Sequence, residues 1–393
     1  MEHAILTINA GSSSIKFALF PLARPLSAEA EMSGQIDGIG TNATRLEAKD
    51  RTGKRIADQA IAGEAVNHEQ AFDAMLKWFL ASQSGWQIIA VGHRVVHGGD
   101  RYSAPIVIDD TVLGHLESFI PLAPLHEPHN VAGIKALRHL LPQVPQVACF
   151  DTAFHRSQPE VAQLFALPRA LTAEGIKRYG FHGLSYEYIA RTLPQHSHRA
   201  QGRVVVAHLG NGASMSAMVN RKCVATTLGF STIDGLMMGT RCGNLDPGVL
   251  LHLMETKNLS VKDMTRVLYK ESGLLGVSGI SQDMRTLLAS DKPEAHEAVE
   301  LFCYRIVREL GSLAAAAGGL DALVFTGGIG EHAAEIRRRV CQQCEWLGIR
   351  LDPEANARHD IVISAGNSSV DVLVIPTNEE WMMAHHAQTL LAL

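Results

Sequence analysis

The chain has 393 residues, of which 46% are hydrophobic and 19% charged, and its formal net charge is −5. This length is typical of two domains, and the apolar content is sufficient to bury a core in each. The small net charge argues against a disordered chain and against a nucleic-acid partner. An acidic residue, Glu2, stands where a secretory signal would be basic, and no uncharged apolar stretch is long enough to cross a bilayer, so we expect a cytoplasmic protein with no membrane partner.

Six cysteines in a chain of this size do not indicate a disulfide framework. Cys341 and Cys344 form a C-x-x-C pair on a basic helical pattern, but no second pair has the spacing of a zinc site. We therefore expect free thiols.

The first predicted element is a β-hairpin, and the same pattern returns about two hundred residues later. The apolar run 5–8 breaks into a turn of small polar residues at 9–14 and recovers as a strand at 15–20. The run 204–207 breaks in the same way at 208–214 and recovers at 215–219. Glycine and asparagine tolerate the positive φ angles that such turns require. Glycine also lets backbone N–H groups approach phosphate oxygens, because it has no Cβ in the way, so the two hairpins together predict a phosphate-binding site.

Strands and helices are expected to alternate through residues 1–150. A strand at 88–91 leads into a polar and glycine-rich segment at 92–99, and a helix near 130–141 precedes a strand at 144–150. A second block begins at Asp151 and contains the second hairpin, a glycine-rich loop at 229–247 and a long helix around 295–318.

The last part of the chain places two further candidate sites at strand ends. The strand 322–325 ends in a glycine-rich turn at 326–330 before a helix, where free N–H groups and the helix dipole favour a nucleotide phosphate. The segment matches neither the dinucleotide fingerprint nor the P-loop pattern. The strand 370–375 is followed by Glu379, Glu380 and a helix from Trp381, and carboxylates in that position suit magnesium.

Several segments of the chain closely resemble the signature motifs of the acetate kinases. They occur in the family's order along nearly the whole chain: NAGSSSIKF at 9–17, HRVVHGG at 93–99, DTAFH at 151–155, GFHGLS at 180–185, HLGNG at 208–212, GLMMGTRCG at 235–243 and TNEE at 377–380. The resemblance implies an α/β fold of duplicated actin-like and sugar-kinase-like (ribonuclease H-like) domains around a nucleotide cleft. It implies an N-terminal domain at 1–150, with the C-terminal helix 381–393 packing back on it, and a nucleotide-binding domain at 151–380.

The resemblance also assigns the residues that carry phosphoryl transfer. Arg94 is implied in substrate binding, and Asp151, His182 and Arg241 in catalysis. Guanidinium groups suit carboxylate and phosphoryl oxygens, and a histidine N–H supplies a further donor to the transferred group. A carboxylic acid substrate is already ionised at neutral pH, so we expect Asp151 to orient an arginine or the hydrated metal and not to remove a proton.

The remaining implied site residues fall into three groups. The acyl site is implied to include Val96, Leu125, His126, Phe181 and Thr232. The ATP or ADP site is implied to include Ser12, Ser14, Lys16, His208, Leu209, Gly210, Asn211, Gly212, Asp283, Met284, Arg285, Gly328, Ile329, Gly330, Glu331 and His332. Mg²⁺, for which Mn²⁺ may substitute, is implied at Asn9 and Glu379, both of which are hard oxygen donors.

Three positions depart from the family's usual pattern. Thr232 replaces a proline beside the acyl pocket. The motifs therefore predict the type of reaction but leave the preferred acyl substrate open. Asn244 replaces an aspartate near Arg241, and His332 replaces an asparagine after the last glycine turn.

Three functions are therefore weighed. The first is an acetate kinase, which interconverts ATP and acetate with ADP and acetyl phosphate, and which the resemblance suggests is a homodimer. The second is a kinase of the same fold for propionate or another short acyl acid, since one methylene gives only about 1–3 kcal/mol of discrimination. The third is a non-catalytic nucleotide-gated binding protein, which the motif residues disfavour because such a protein needs no carboxylate clamp.

Overall fold

A computed structural model describes residues 2–11, 13–63, 65–82 and 85–393. The chain divides into two compact units. Unit 1 runs to Phe154 and includes Asn378–Leu393, and unit 2 is His155–Thr377. Within the described part of the chain, no helix is both long and apolar enough to span a membrane.

Unit 1 is built on a mixed β-sheet. Its described strands are β1 (Glu2–Ala10), β2 (Ser14–Pro21), β3 (Met32–Asp37), β4 (Arg45–Asp50), β5 (Arg55–Ala60), β6 (Trp86–Val95), β7 (Ile106–Val107) and β8 (Gln146–Phe150). Their order in the sheet is β5-β4-β3-β2-β1-β6-β8-β7, with β1, β6 and β8 parallel to one another.

Helices cover the parallel part of this sheet. They are α1 (His68–Ser82), α2 (Asp110–Ser118), α3 (Glu127–Leu140) and, from the end of the chain, α15 (Glu379–Leu390). Helices α1 and α3 contact each other, and Phe72 and Leu137 from them join the core formed with β1 and β2. Helix α15 contacts β1 and β6, and a Cβ on Gly92 would lie 3.0 Å from the backbone oxygen of Met383, so any larger residue would require this backbone to shift.

The expected alternation of strands and helices is wrong for the first third of unit 1. Strands β1 to β5 follow one another as an antiparallel series, and the first helix begins at His68. Strand β4 alternates buried and less buried side chains, which is the pattern of an antiparallel strand with one covered face. The turns after β3 and β4 contain Gly38 and Gly53 at φ 73° and 82°, values that glycine adopts at no steric cost.

Unit 2 contains a second mixed sheet and most of the helices. Its strands are β9 (Arg203–Leu209), β10 (Ala213–Val219), β11 (Lys222–Thr226), β12 (Ala322–Thr326) and β13 (Asp371–Val374). Its helices are α4 (Glu160–Gln163), α5 (Arg169–Ala173), α6 (Gly183–Thr192), α7 (Pro247–Lys257), α8 (Val261–Lys270), α9 (Gly273–Ser278), α10 (Met284–Leu288), α11 (Pro293–Ala317), α12 (Gly327–His332), α13 (Ala334–Gln343) and α14 (Pro353–Ala357).

The two sheets share one topology. In unit 2 the order is β11-β10-β9-β12-β13, with β9, β12 and β13 parallel and the first three antiparallel. The order β3-β2-β1-β6-β8 in unit 1 has the same directions and the same chain sequence. The predicted duplicated α/β architecture is confirmed by this repeat, and both predicted hairpins are present, closing at Ala10 with Ile15 and at Leu209 with Ala213.

The parallel strands place polar residues at one edge of each sheet. Strands β8 and β12 are buried at every position, as expected for parallel strands covered on both faces. The carboxyl ends of adjacent parallel strands meet at a common edge, which is where open α/β sheets bind ligands. In unit 1, Asn9, Arg94 and Asp151 lie at that edge.

Candidate active site

The centre of the unit 1 site is a paired arginine and aspartate at the ends of β6 and β8. The Arg94 Nε donates to Oδ1 and Oδ2 of Asp151 at 3.1 Å each, and Arg94 Nη2 donates to Asp151 Oδ2 at 2.5 Å. The Asp151 side chain is 1% exposed and that of Arg94 is 21% exposed. A fork-shaped guanidinium held on both oxygens of a buried carboxylate has a fixed orientation.

Two further side chains reach the same guanidinium. Asn9, from the end of β1, accepts a hydrogen bond from Arg94 Nη1 at 3.2 Å. Glu379, at the start of α15, places Oε2 4.0 Å from Arg94 Nε. Asn378 is the N-cap of that helix, with its side chain accepting from the N–H of Trp381. Strand ends and a helix start thus bring to Arg94 three residues, Asn9, Asp151 and Glu379, that lie 85, 57 and 285 positions from it along the chain.

Charge and burial oppose each other in this cluster. Burial disfavours the charged form of Arg94, but Asp151 and Glu379 more than offset this and raise the pKa of its guanidinium. Burial raises the pKa of Glu379 to about 7, against the opposing effect of Arg94 and with a further increase from Asp151. Arg94 is therefore the cation on which the local carboxylates depend.

Helix α3 supports the segment that follows Arg94. The Asn130 side chain accepts from the N–H of Val96 at 3.0 Å and donates to the carbonyl of Ala10 at 2.9 Å. Glu127 is fully buried, and its Oε2 accepts from the N–H of His97 at 3.3 Å. Sequence reasoning missed Asn130 and Glu127, because their partners lie 30 to 120 positions away and no local pattern marks them.

The acyl-site candidates of unit 1 lie beside this support. Val96 is 4% exposed, and His126 is the residue that precedes the first turn of α3. Leu125 is partly buried immediately before it. The N–H of Val96 is bonded to Asn130 of α3, and His126 directly precedes that helix.

In unit 2, His182 lies where a loop enters α6. Its backbone is left-handed, with φ 59° and ψ 26°, which is an uncommon conformation for a residue with a side chain. His182 Nδ1 lies 2.8 Å from Ser214 Oγ, and Ser214 Oγ lies 2.5 Å from the hydroxyl of Tyr186. The preceding Phe181 is 1% exposed, and its carbonyl lies 2.8 Å from Nε2 of the buried His155. Burial lowers the pKa of His155 to about 4, so this ring is neutral.

The turn between β9 and β10 lies next to His182. His208 stacks on His182 with ring centroids 4.5 Å apart, and its Nδ1 lies 2.8 Å from Ser185 Oγ. A Cβ on Gly212 would lie 3.4 Å from His182 Nε2. The turn therefore borders the ring of His182, although Leu209 is fully buried and contributes only its backbone.

Arg241 is anchored by the loop that carries Thr232. Arg241 Nη1 donates to the Thr232 carbonyl at 2.9 Å. The Asn211 carbonyl accepts from the N–H of Gly239 at 3.0 Å, which ties this loop to the β9–β10 turn. Asn244 is joined through its backbone to Gly235 and Arg305, so its described bonds do not go to Arg241.

The turn after β12 is organised by Glu331 and Arg337. Glu331 Oε1 accepts from the N–H of Gly327 at 2.8 Å and from that of Thr377 at 3.2 Å. Arg337 is fully buried and donates to the carbonyls of Gly330 and Glu331 at 2.8 Å each. His332 is 80% exposed at the side chain. No local sequence pattern indicates that Arg337 holds the segment 328–332, because an arginine on a basic helix is usually exposed.

The other nucleotide candidates are more dispersed. Asp283 caps α10 and pairs with Arg285, whose side chain is 91% exposed, while Met284 is buried in the core. Lys16 is exposed on β2 opposite Asn9, and the Ser14 carbonyl accepts from the N–H of Gly11. Ser12 lies outside the described residues.

The described residues contain no cluster of three or more His, Cys, Asp or Glu side chains arranged to hold a metal. Asn9 and Glu379 nevertheless place side-chain oxygens beside the same guanidinium, that of Arg94, and both oxygens are possible metal ligands. Mg²⁺ commonly binds to only one or two protein carboxylates, with waters and substrate phosphates as its other ligands. The donor set therefore fits magnesium. All six cysteines are free, as expected.

Comparison with known proteins gives a consistent result. The model of the acetokinase family matches residues 4–385. An acetate kinase of Rhodopseudomonas palustris is 54% identical over 391 residues, covering 98% of each chain, and one of Rhizobium meliloti is 46% identical over 390 residues, covering 99% of this chain and 98% of that one.

Solved structures agree over the same length. A propionate kinase from Francisella tularensis superposes with a TM-score of 0.91 at 36% identity, covering 98% of this chain and 99% of that one. An acetate kinase from Porphyromonas gingivalis gives 0.88 at 37% identity, covering 99% and 100%. The chain belongs to the acetokinase family.

Proposed function

We propose that this protein is an acetate kinase, which transfers the γ-phosphoryl group of ATP to acetate and forms ADP and acetyl phosphate reversibly. Family membership over nearly the whole chain supports the reaction type. The observation that carries the proposal is the guanidinium of Arg94, fixed on buried Asp151 and reached by Asn9 and Glu379. A protein that only binds nucleotide has no use for such a carboxylate clamp, so the non-catalytic alternative is not favoured.

Arg94 binds the carboxylate of the substrate in this proposal. One of its edges is held by Asp151, and its side chain remains partly exposed for a second anion. Acetate is ionised at neutral pH, so no base is needed to start the reaction. Asp151 accordingly orients Arg94, and both of its oxygens are used in doing so.

His182 and Arg241 stabilise the transferred phosphoryl group. Charge spreads over its equatorial oxygens in the transition state, and preorganised donors at those oxygens lower the barrier. His182 is preorganised by its left-handed backbone and by Ser214, and Arg241 by the Thr232 carbonyl. Phe181, directly before His182, is proposed to line the acyl site.

The nucleotide is assigned to unit 2, to the segments 208–212, 283–285 and 328–332, while contacts from Ser12, Ser14 and Lys16 stay a prediction from the family resemblance. The fixed turn after β12, held by Glu331 and Arg337, supports this assignment. Asn9 and Glu379 would hold Mg²⁺, which would neutralise phosphate charge. A homodimer remains a prediction from the family resemblance, and a cytoplasmic location remains a prediction from the sequence.

Propionate is the second candidate substrate. The superposition on a structure named a propionate kinase favours it, and Thr232 stands where the family usually has proline. The reaction and the residues proposed for it would be the same, and only the acyl pocket would differ.

A coupled assay of ADP formation with acetate, propionate and butyrate tests the proposal. We expect magnesium-dependent turnover with acetate and the highest kcat/KM for that acid. A higher value for propionate would favour the second candidate, and ATP binding without acid-dependent ADP formation would refute both.

Glu379→Ala is expected to require more Mg²⁺ for half-maximal activity, and an unchanged Mg²⁺ titration would remove Glu379 from the metal site.

A further inference from the structure

Two buried hydroxyl groups lie in series behind His182. The hydroxyl of Tyr186 is 2.5 Å from Ser214 Oγ, and Ser214 Oγ is 2.8 Å from His182 Nδ1. Tyr186 and Ser214 are both fully buried, whereas His182 is partly exposed. The series therefore runs from the interior of unit 2 to a ring at its surface.

The acidity of the two hydroxyls gives the series a direction. A phenol is a stronger hydrogen-bond donor than an aliphatic alcohol, and an alcohol oxygen is the better acceptor. With Tyr186 as the donor to Ser214, the single hydroxyl hydrogen of Ser214 is directed to His182 Nδ1. An imidazole that accepts at Nδ1 is neutral and carries its hydrogen on Nε2.

The other edge of the His182 ring faces the turn that is proposed to hold phosphate. A Cβ on Gly212 would lie 3.4 Å from His182 Nε2, so this nitrogen is next to the β9–β10 turn. A hydrogen on Nε2 would donate to an anionic oxygen there. The opposite tautomer would present a lone pair to the same anion and repel it.

The left-handed backbone fixes where the ring stands but leaves its tautomer undetermined. His182 has φ 59°, and the carbonyl of Phe181 is held at 2.8 Å by His155. Neither this backbone angle nor the bond to the Phe181 carbonyl involves a nitrogen of the His182 ring. Ser214 contacts Nδ1 directly, so its hydroxyl can favour one tautomer over the other.

We propose that Ser214 is a positioning residue which sets His182 in the Nε2–H tautomer, and that Tyr186 orients the Ser214 hydroxyl for this purpose. The proposal rests on the role assigned to His182 in phosphoryl transfer. It adds that the donor strength of His182 depends on a serine that does not itself touch the substrate.

Nitrogen NMR of the ¹⁵N-histidine-labelled protein tests the tautomer directly. His182→Gln identifies the two ring signals of His182 by their loss. In the wild-type protein we expect an unprotonated Nδ1 and a protonated Nε2, and in Ser214→Ala a shift of both signals toward the average of the two tautomers. A wild-type ring that is protonated at Nδ1 would overturn the proposal, whatever the enzyme's activity.

Ser216→Ala is the matched control. Ser216 is two residues along β10, on the same face and equally buried, but its hydroxyl contacts Cys223 and the carbonyl of Ala225. The Ser216→Ala variant, like Ser214→Ala, loses one hydroxyl group from β10, but this hydroxyl does not contact His182. We expect its His182 signals and its kcat to match those of the wild-type protein.

Kinetics then connect the tautomer with turnover. Ser214→Ala is expected to lower kcat about tenfold, the equivalent of one hydrogen bond, while KM for acetate and ATP changes less than about twofold. Tyr186→Phe should lower kcat by about threefold, because Ser214 keeps its hydroxyl but loses its orientation. Circular dichroism of each variant establishes that it is folded.

The outcomes separate this proposal from the proposed function. Wild-type turnover of acetate with loss of turnover in His182→Gln supports the assigned role of His182, independently of Ser214. If Ser214→Ala then behaves as Ser216→Ala does, both in its ring signals and in kcat, the tautomer proposal is wrong while the function stands.

Discussion

At the scale of single residues, the orientation of Arg94 depends on one buried carboxylate. Asp151 uses both oxygens on Arg94 and is 1% exposed, so neither side chain has an alternative position at low cost. This geometry explains how the guanidinium of an arginine at a strand end is held in one orientation. It also means that activity and stability are linked at this pair.

Arg94→Ala is predicted to lower kcat/KM for acetate about a thousandfold, because the lost contacts form with the substrate carboxylate and the reacting group. It should also lower the free energy of unfolding by about 3 kcal/mol, since buried Asp151 loses its counter-charge. Steady-state kinetics and urea unfolding measure the two effects.

Arg138→Ala is the control for Arg94, since its ion pair with Asp110 is largely exposed and pairs of that kind contribute little. We expect it to stay within about twofold of wild-type activity. Near-normal kcat/KM in Arg94→Ala would show that Arg94 does not bind the acid.

Thr232→Pro is predicted to improve propionate more than acetate. Threonine brings a hydroxyl and a freer backbone where the family has an apolar ring, and longer acids lose more apolar burial, at about 25 cal/mol per Å². The carbonyl that holds Arg241 is retained by proline, so the phosphoryl contacts should persist. Measuring kcat/KM for both acids checks this, with Ser231→Ala as a neighbouring control. An unchanged ratio would show that position 232 does not set the choice.

At the scale of elements, α3 holds two segments of the site in register. Asn130 joins the end of β1 to the segment after β6 through Ala10 and Val96. Both strands carry site residues at these ends, Asn9 on one and Arg94 on the other. Through Asn130, α3 therefore helps to hold the strand ends that carry Asn9 and Arg94 at a fixed spacing.

Asn130→Ala is predicted to cost about 3 kcal/mol of unfolding free energy, because it leaves a buried N–H and a buried carbonyl without their partner. It should also raise KM for acetate. Lys135→Ala, on the exposed side of the same helix, should change stability by less than about 0.5 kcal/mol. Urea titration of both variants gives the comparison, and equal values would mean that the two bonds of Asn130 are not needed.

At the scale of the whole molecule, buried ionisable groups determine how stability varies with pH. Burial raises the pKa of Glu127 to about 8, with a smaller lowering effect from the N–H of His97 and a further increase from Asp151. Its folded pKa is above the ordinary value of 4.5, so folding favours the protonated acid. The contribution of this acid to stability is complete below pH 4.5 and is lost as pH rises toward 8.

Glu127→Gln copies the protonated acid at every pH. We predict that wild type and variant have similar unfolding free energies at about pH 4.5, and that the variant becomes more stable by about 3 kcal/mol at about pH 7. Urea unfolding across this range measures the difference. Parallel curves with a constant gap would contradict a protonated Glu127.

The motif segments and the hairpins could be predicted because their signals are local. Strand patterns at 5–8 and 204–207, the glycine turns after them and the order of the motifs all lie within short windows of sequence. The family resemblance implied the domain repeat, the two hairpins are consistent with it, and the sheet topologies agree with it. The series of strands β3 to β5 was missed, because short half-polar strands give a weak periodic signal and depend on cross-strand neighbours.

Sequence by itself determined which residue types are available for phosphoryl transfer, since arginine, histidine and carboxylate chemistry is carried by each side chain. Tertiary structure alone decided which neighbours each of them has. The orientation of Arg94 by Asp151, the support of Val96 by Asn130 and the contact of Ser214 with His182 join residues 57, 34 and 32 positions apart. Hydrogen-bond direction, burial and pKa depend on such distant neighbours, and they are defined only once the chain has folded.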